Sequence, residues 1–437
     1  MATAPDPDPT STPHHAGRRR LVIAAFVVLG LTWIAAIAVA AIAVRSAPAP
    51  GRLDTQLAGV EQPDHAEQPT TPTSTTPTPP KRATAPAEGP CWPVYGRTAR
   101  RTSDAADLVH GIPTRMTWRV RVGIMEFPPS FCDGVLYVNN QHGMTWAISA
   151  ANRRVLWKRR TATLYDSTPA VSGARVFVGS YTPGTVQALD RATGRPLWKL
   201  RTGGAVESSP VVVDGLVYAT SQDRRVYAID ERTGRVRWAY LTGGEVKDSP
   251  TVVGGRVYVA NYAAEVYALN AANGHVAWRR SYGGLIGDRI YSSVPVSGHT
   301  AYFVTVRGHV YAVDTRDGHT RWQASIPGYV YSTPAVSGGR VFIGNYPGSV
   351  YAFDARTGRR IWRSSVNGTV SGSPTVVGDV VYVSTLSGRR TYGFSVKNGR
   401  ELWKHADGRY VSGIATDRAL YFSMGSMLTR WQTARSK

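Results

Sequence analysis

The chain has 437 residues, 42% of them hydrophobic and 18% charged, and 51 Lys+Arg against 29 Asp+Glu leave a formal net charge of +22. Twelve Trp and 22 Tyr exclude disorder along the whole length. The 44 Gly and 28 Pro argue against a helical bundle, and two widely separated Cys exclude a disulfide-dense scaffold, a vicinal-disulfide site and a zinc cluster. An all-β fold with many tight turns is the class left.

Residues 1–20 are polar and end in Arg18, Arg19 and Arg20, and an uncharged apolar run follows from Leu21 to Val44. As a helix, a run of this length covers roughly 36 Å, enough for a hydrocarbon core of ~30 Å. The rival is a cleavable signal peptide, with small-residue sites at Ala38-Val39-Ala40 and Ala41-Ile42-Ala43. The run is longer than the apolar region such peptides carry, which favours a retained anchor. Three Arg before it and Arg45 after it place residues 1–20 in the cytoplasm and the remainder outside. Residues 45–90 are rich in Pro, Thr and Ala, too poor in apolar side chains to pack, and read as an extended stalk. The expected organisation is therefore tail 1–20, transmembrane helix 21–44, stalk 45–90 and a folded domain over 91–437. Basic and acidic residues balance in 1–90, so the whole +22 falls on that domain.

Within 91–437 one unit recurs. AVESSPVVVDGLVYATSQDRRVYAIDERTGRVRW runs from Ala205 to Trp238, and its closing Trp returns at Trp118, Trp157, Trp198, Trp238, Trp278, Trp322, Trp362 and Trp403, with spacings of 39, 41, 40, 40, 44, 40 and 41. Each unit starts a strand at Ser-Pro or Thr-Pro, turns at Gly or Asp into a Val-Tyr or Val-Phe alternation, and crosses a polar loop into a third strand. A Thr-Gly hairpin then leads to a fourth strand bearing the Trp. Four short antiparallel strands per ~40 residues predict a β-propeller blade. Trp118 lies on a fourth strand without its own first three, and Tyr410 to Trp431 supplies three strands without a fourth. Pairing them gives eight blades and a closed ring.

The stretch AIDERTGRVRW from Ala228 resembles the eleven-residue tryptophan-docking motif of the quinoprotein-like propellers. It recurs as ALDRATGRPLW from Ala188 and AFDARTGRRIW from Ala352, and more loosely from Ala147, Ala268, Ala312 and Gly393. The resemblance covers about 91–437 and implies an all-β, eight-bladed propeller. The family includes dehydrogenases that bind pyrroloquinoline quinone and calcium, sensor domains, and the non-enzymatic scaffold of the outer-membrane barrel-assembly machine. This chain lacks the dehydrogenases' vicinal cysteines and long inter-blade insertions, so the resemblance carries over no cofactor-site residue. The eight Trp are expected to be structural, each ring setting the spacing to the next blade. Cys91 and Cys132 are expected to form a disulfide in an oxidising compartment, stapling the ring closure.

Two sets of residues are candidates for binding. Just before each Ser-Pro or Thr-Pro the first strand begins near the central channel, and that place reads Glu126, Asp166, Glu207 and Asp248 in consecutive blades, with Tyr291 and Tyr331 in later ones. Such an acidic arc suits a hard cation or a cationic peptide. The competing reading is that each carboxylate pairs with a base such as Lys247 or Arg289, or caps a turn. The loops between second and third strands carry Tyr181, Asn261-Tyr262 and Asn345-Tyr346, which suit stacking on sugars or peptides, or turn formation alone. The seven His of the domain show no metal-ligand spacing, and no nucleophile elbow or phosphate loop appears.

These features predict a non-catalytic binding, scaffold or sensor propeller displayed on the cell membrane, with no catalytic residue, cofactor or metal. Its partner is an extracytoplasmic protein or an anionic envelope polymer; nucleic acid is argued against by the placement. The alternatives are an oxidoreductase dependent on pyrroloquinoline quinone with calcium or another metal, and a carbohydrate-binding module.

Overall fold

In the computed structural model the described residues are 91–108, 111–284 and 287–434, with one further two-residue strand, Val60–Glu61. The expected tail, apolar span and, apart from those two residues, stalk lie outside them. Among the described residues no helix is long and apolar enough to cross a membrane.

The Val-Tyr alternations do form antiparallel strands, gathered into eight sheets among the described residues. Blade 3 shows the pattern: Val211–Val213, Leu216–Thr220, Arg225–Asp230 and Val236–Leu241 pair in that order. Blades 1 to 7 span residues 130–160, 170–201, 211–241, 251–281, 296–325, 335–365 and 375–406. In blade 8, Ile414–Ala415, Leu420–Met424 and Met427–Thr433 are completed by Pro113–Arg121 from the N-terminal side of the domain. The ring is thus closed by strands from both ends of the domain, and no blade is left with a strand missing. Val60–Glu61 pairs with the outer strand of blade 2, and Asp104–Ala105 runs parallel to the inner strand of blade 7.

The repeated side chains explain how the blades pack. In the third-to-fourth strand hairpin a small residue faces the Trp: Ala228 opposite Trp238, Ala268 opposite Trp278, Ala352 opposite Trp362. The indole then leaves its own blade. Trp238 Nε1 donates to Ala271 O at 2.9 Å and Trp198 Nε1 to Glu231 O at 3.0 Å, with Trp118, Trp157, Trp278, Trp322 and Trp362 making the equivalent bond into the next blade. At the last junction Trp403 instead lies against Phe422 and Trp431 of blade 8, where the outer strand comes from the other end of the domain and no hairpin joins it to its neighbour. The hairpin Gly is needed twice over. Gly274 has φ +74°, and a Cβ there would stand 2.7 Å from the ring of Trp238. Apolar clusters accordingly bridge neighbours, as where Phe177, Val186 and Trp198 of blade 2 meet Val217, Tyr227 and Ile229 of blade 3.

The hub of the ring is not open at both ends. Residues 91–105 coil inside it. Their carbonyls accept amides from the inner strands one blade after another: Pro93 from Val171, Ala99 from Val252, Arg100 from Val296, Thr102 from Val336 and Ser103 from Val376. Trp92 exchanges two backbone bonds with Phe131 of blade 1. The disulfide Cys91–Cys132 fixes the start of this segment to blade 1, with Cα atoms 4.4 Å apart. The bond joins the residues expected, and what it anchors is this hub segment as well as the closure.

The coil is tight enough that residue 96 must be Gly, since a Cβ there would lie 2.7 Å from Arg101 Cα. At its centre Arg101 is completely buried. Its guanidinium donates to the carbonyls of Tyr95, Ser209 and Pro250 at 2.9, 2.6 and 2.9 Å, and more weakly to Pro210. Burial lowers its pKa to about 9, which still leaves it a cation at neutral pH. A fixed positive charge therefore sits beneath the hub.

Candidate functional site

Above the hub segment the other end of the channel is a cavity of about 170 Å³. Trp92, Tyr95 and Ser103 form its floor, and the starts of the inner strands form its walls. Those starts are held in step by a belt of hydroxyls. The Ser or Thr before each strand-opening position accepts the amide of its counterpart one blade earlier: Thr168 N to Ser209 Oγ, Ser209 N to Ser249 Oγ, Ser249 N to Ser293 Oγ, Ser293 N to Thr333 Oγ1 and Thr333 N to Ser373 Oγ, all between 2.8 and 3.1 Å. The hydroxyl of the Ser-Pro motif thus has a task of its own, distinct from the strand start that the Pro marks.

The belt fixes which residues are equivalent. One position before it, Ser167, Ser208 and Ser292 each accept an amide from the second strand of their own blade and return a hydroxyl bond to the same residue's carbonyl. Ser332 makes the second of these bonds, to Gly344. In blade 4 that position is Asp248. A further residue back is the rim proper, reading Glu126, Asp166, Glu207, Lys247, Tyr291, Tyr331 and Ser371 around the ring. The expected arc of four acids at one position is therefore three acids followed by a lysine, with Asp248 set one residue deeper. The sequence does contain the signal: Glu126, Asp166 and Glu207 lie three residues before a Pro and Asp248 only two. The side chain of Asp166 lies outside the described residues.

Asp248 is 2% exposed. Its Oδ2 accepts the amide of Ala260 at 2.9 Å, while Oδ1 has no partner among the described residues. Burial pushes the carboxyl up to about 8, against the opposing pull of the Ala260 amide and the Arg101 charge. Glu126 is raised to about 7 by burial and by the neighbouring charge of Glu207, with Arg409 opposing. Glu207 is the engaged member. It takes the hydroxyl of Tyr291 at 2.5 Å and an amide of Gln222 at 3.3 Å, and pairs with Lys247 at 3.5 Å.

The tyrosines of the two candidate sets form one structure. Tyr262 and Tyr291 have ring centroids 6.1 Å apart, Tyr291 and Tyr331 5.6 Å, and Tyr331 and Tyr346 4.9 Å. The ladder crosses blades 4 to 6, with Lys247 and Arg289 over the face of Tyr262, and ends beside the exposed Tyr329 and Tyr346. Burial raises the phenols of Tyr262, Tyr291 and Tyr331. Asn261 and Asn345 do not join it. Both are wholly buried and use their side-chain oxygens to accept turn amides, from Ala263 and Glu265 and from Ser349. Tyr181 ends the long second strand of blade 2, half-buried.

Solved structures share this architecture. BamB from Moraxella catarrhalis aligns with a TM-score of 0.64 at 16% identity, covering 74% of this chain and 98% of that one. A europium-containing methanol dehydrogenase gives 0.65 at 14% identity over 77% of this chain and 90% of its own. The quinohemoprotein alcohol dehydrogenase from Comamonas testosteroni gives 0.65 at 14% identity over 82% of each. At these identities the likeness is one of fold alone. No curated protein matches the sequence. The family model described as outer membrane protein assembly factor BamB matches residues 113–200, 182–333 and 330–425, most of the chain, and it is to this family of propellers that the chain belongs.

Proposed function

We propose that this chain is a non-catalytic binding propeller that engages a protein partner outside the cytoplasm through the open mouth of its channel. The observation that carries the reading is the continuous tyrosine ladder from the exposed Tyr329 and Tyr346 through Tyr331 and Tyr291 to the cavity wall. Rigid rings with one polar tip give large contact area at small entropic cost, as protein-binding surfaces require. Residues 91–105 occupy the opposite end of the hub, with a second cavity between them and the inner strands of blades 2 and 3, and the ladder favours the mouth as the binding end. The apolar run 21–44 and the Cys91–Cys132 bond support display in an oxidising compartment. The excess of positive charge on 91–437 leaves an anionic envelope polymer as a second class of partner.

The oxidoreductase reading finds less support. Pyrroloquinoline quinone is itself a polycarboxylate and would face Glu126, Glu207 and Asp248 across this cavity. Among the described residues there is no cluster of three or more His, Cys, Asp or Glu able to hold calcium. The two cysteines are bonded to each other across blade 1 instead of forming a vicinal pair. The residues do not fit that group, and no chemical step is derived through it.

The test is cross-linked co-purification of the full-length chain from native membranes, beside the double variant Tyr329→Ala/Tyr346→Ala. A stoichiometric protein partner captured by the wild type and lost in the variant is the expected result. A clean bait, or a partner retained equally by both, refutes it. Retention of polysaccharide that fails in the variant would move the assignment to carbohydrate.

A further inference from the structure

The cavity floor has an anomaly that partner binding by the rim does not use. At the position of Asp248 four other blades place Ser167, Ser208, Ser292 and Ser332, whose hydroxyls bond the second strand. Ser satisfies both the amide and the carbonyl there. An ionised Asp can accept from the Ala260 amide but cannot donate, and its second oxygen is left buried and unpartnered. Such an atom costs free energy in the absence of something that binds it. Arg101 is not that partner, because its donors are directed to the carbonyls of Tyr95, Ser209, Pro210 and Pro250.

The surroundings define what the missing partner is. Three carboxyl groups, Glu126, Glu207 and Asp248, and one ammonium, Lys247, line the cavity, and Lys247 pairs with Glu207. Carboxyl groups therefore outnumber bases in this lining, within a domain of strongly positive net charge. Tyr291 and Tyr331 at the rim, level with Glu126 and Glu207, and Phe127, level with Asp248, supply apolar and π surface in the same lining. Carboxyl groups at the rim, one more at depth and aromatic walls between them suit a charged head on an apolar stem, held by ion pairing and cation–π contact. They do not suit a bare metal ion, for which the described residues offer no clustered ligands.

We propose that the cavity is a receptor for an organic cation, a primary ammonium or guanidinium group on an apolar stem, which passes Tyr331 and Tyr291 and donates to Asp248 Oδ1 with Glu126 as a further counter-charge. This rests on the channel mouth being the binding face and specifies what the partner inserts. Because both carboxyls are protonated to a large extent near neutrality, binding the cation releases protons and strengthens as pH rises. The groups that set this balance are Arg101 and the Ala260 amide at Asp248, and Glu207 and Arg409 at Glu126.

The test is calorimetric titration of the full-length chain with Nα-acetyl-lysine N-methylamide, with the norleucine analogue as uncharged isostere and n-pentylammonium as a free amine. Saturable binding of the lysine derivative, with proton release and roughly tenfold or more tightening from pH 6 to pH 8.5, is expected, with none for norleucine. Asp248→Ser, which restores the residue of the other blades, should stay folded and bind at least tenfold more weakly. Glu126→Gln gives a second measurement at a less buried place, with the same direction expected. No binding of the lysine derivative, equal binding of norleucine, or unchanged binding in folded Asp248→Ser or in Glu126→Gln overturns the proposal. Pentylammonium binding as tightly as the lysine derivative identifies a free amine as the source, and weaker binding a polypeptide side chain. Partner capture through Tyr329 and Tyr346 is measured separately, so its persistence without cation binding removes this inference and leaves the broader reading standing.

Discussion

Asp248→Ser is expected to stabilise the folded chain at alkaline pH. The carboxyl has an ordinary value of 3.8 and is raised by burial to about 8 in the folded state. Between those values the folded chain keeps a proton that the unfolded chain has released, so wild-type stability falls as pH rises through that window and levels off above it. Each unit of separation corresponds to ~1.4 kcal/mol, which puts the loss at about 4 kcal/mol by pH 7 and about 6 kcal/mol by pH 9, as upper bounds. Serine carries no titrating group and makes the two bonds that Ser208 makes with Thr220. The variant should therefore lie close to wild type at pH 4.5, exceed it at pH 9, and have a flatter profile between. Denaturant unfolding across pH 4.5 to 9, followed by tryptophan fluorescence, measures this directly. If Asp248→Ser is less stable than wild type throughout, the carboxyl serves the fold, as counter-charge to Arg101, and the argument from the unpartnered oxygen fails.

Arg101→Met should cost about 3–5 kcal/mol, because it leaves the buried carbonyls of Tyr95, Ser209 and Pro250 without a donor; hydrogen exchange should show the amides of Val252, Val296, Val336 and Val376, which bond the hub segment, exchanging early. Gly274→Ala should cost about 1–3 kcal/mol in thermal unfolding, since it meets both a φ of +74° and the ring of Trp238 at 2.7 Å. On the acid side, Asp230 is held down to about 2 by the Thr233 hydroxyl and amide and by Arg237, so its contribution is present above the ordinary value of 3.8 and lost as pH falls towards 2. Asp230→Asn should flatten the acid limb of the stability curve. Cys91→Ser should lower stability by about 4 kcal/mol on the chain-entropy argument for a loop of 41 residues, with the same loss on mild reduction of the wild type.

The blades were legible because their information is local and repeated. The small residue, the Asp, the hairpin Gly and the Trp of AIDERTGRVRW lie within eleven positions, and each does its work between adjacent strands or adjacent blades. Even the shared eighth blade could be read, since Trp118 and the run from Tyr410 to Trp431 are halves of the same pattern. The hub segment could not. Residues 91–105 have no period, and Pro93, Ala99, Arg100, Thr102 and Ser103 meet the inner strands with backbone carbonyls, which leave no mark on side-chain choice. Arg101 looks in sequence like one more base among the basic residues around it. The acidic arc was seen but misaligned, because aligning acid to acid hid the register that the Pro residues set.

That misalignment bears on how the molecule works. With Asp248 in line with Glu207 the rim would carry an unbroken arc of four acids, and such an arc is readily explained by solvation. Set one residue deeper, Asp248 stands where the other blades satisfy their backbone with a hydroxyl, and where an ionised carboxylate leaves one acceptor oxygen without a donor. The rim above it also changes character around the ring, from the acids of blades 1 to 3 through Lys247 to the tyrosines of blades 5 and 6. A ring of near-identical blades has no intrinsic reason to be asymmetric at its hub. The asymmetry has two sources, the coil of 91–105 that closes one end around Arg101 and the side chains that depart from the repeat at the other. Both converge on blade 4, where Arg101 bonds Pro250 from below and Asp248 lines the cavity above. A ligand that pairs with Asp248 would therefore act within two residues of the contact that seats the hub segment, and should slow exchange at Val252, whose amide that segment holds.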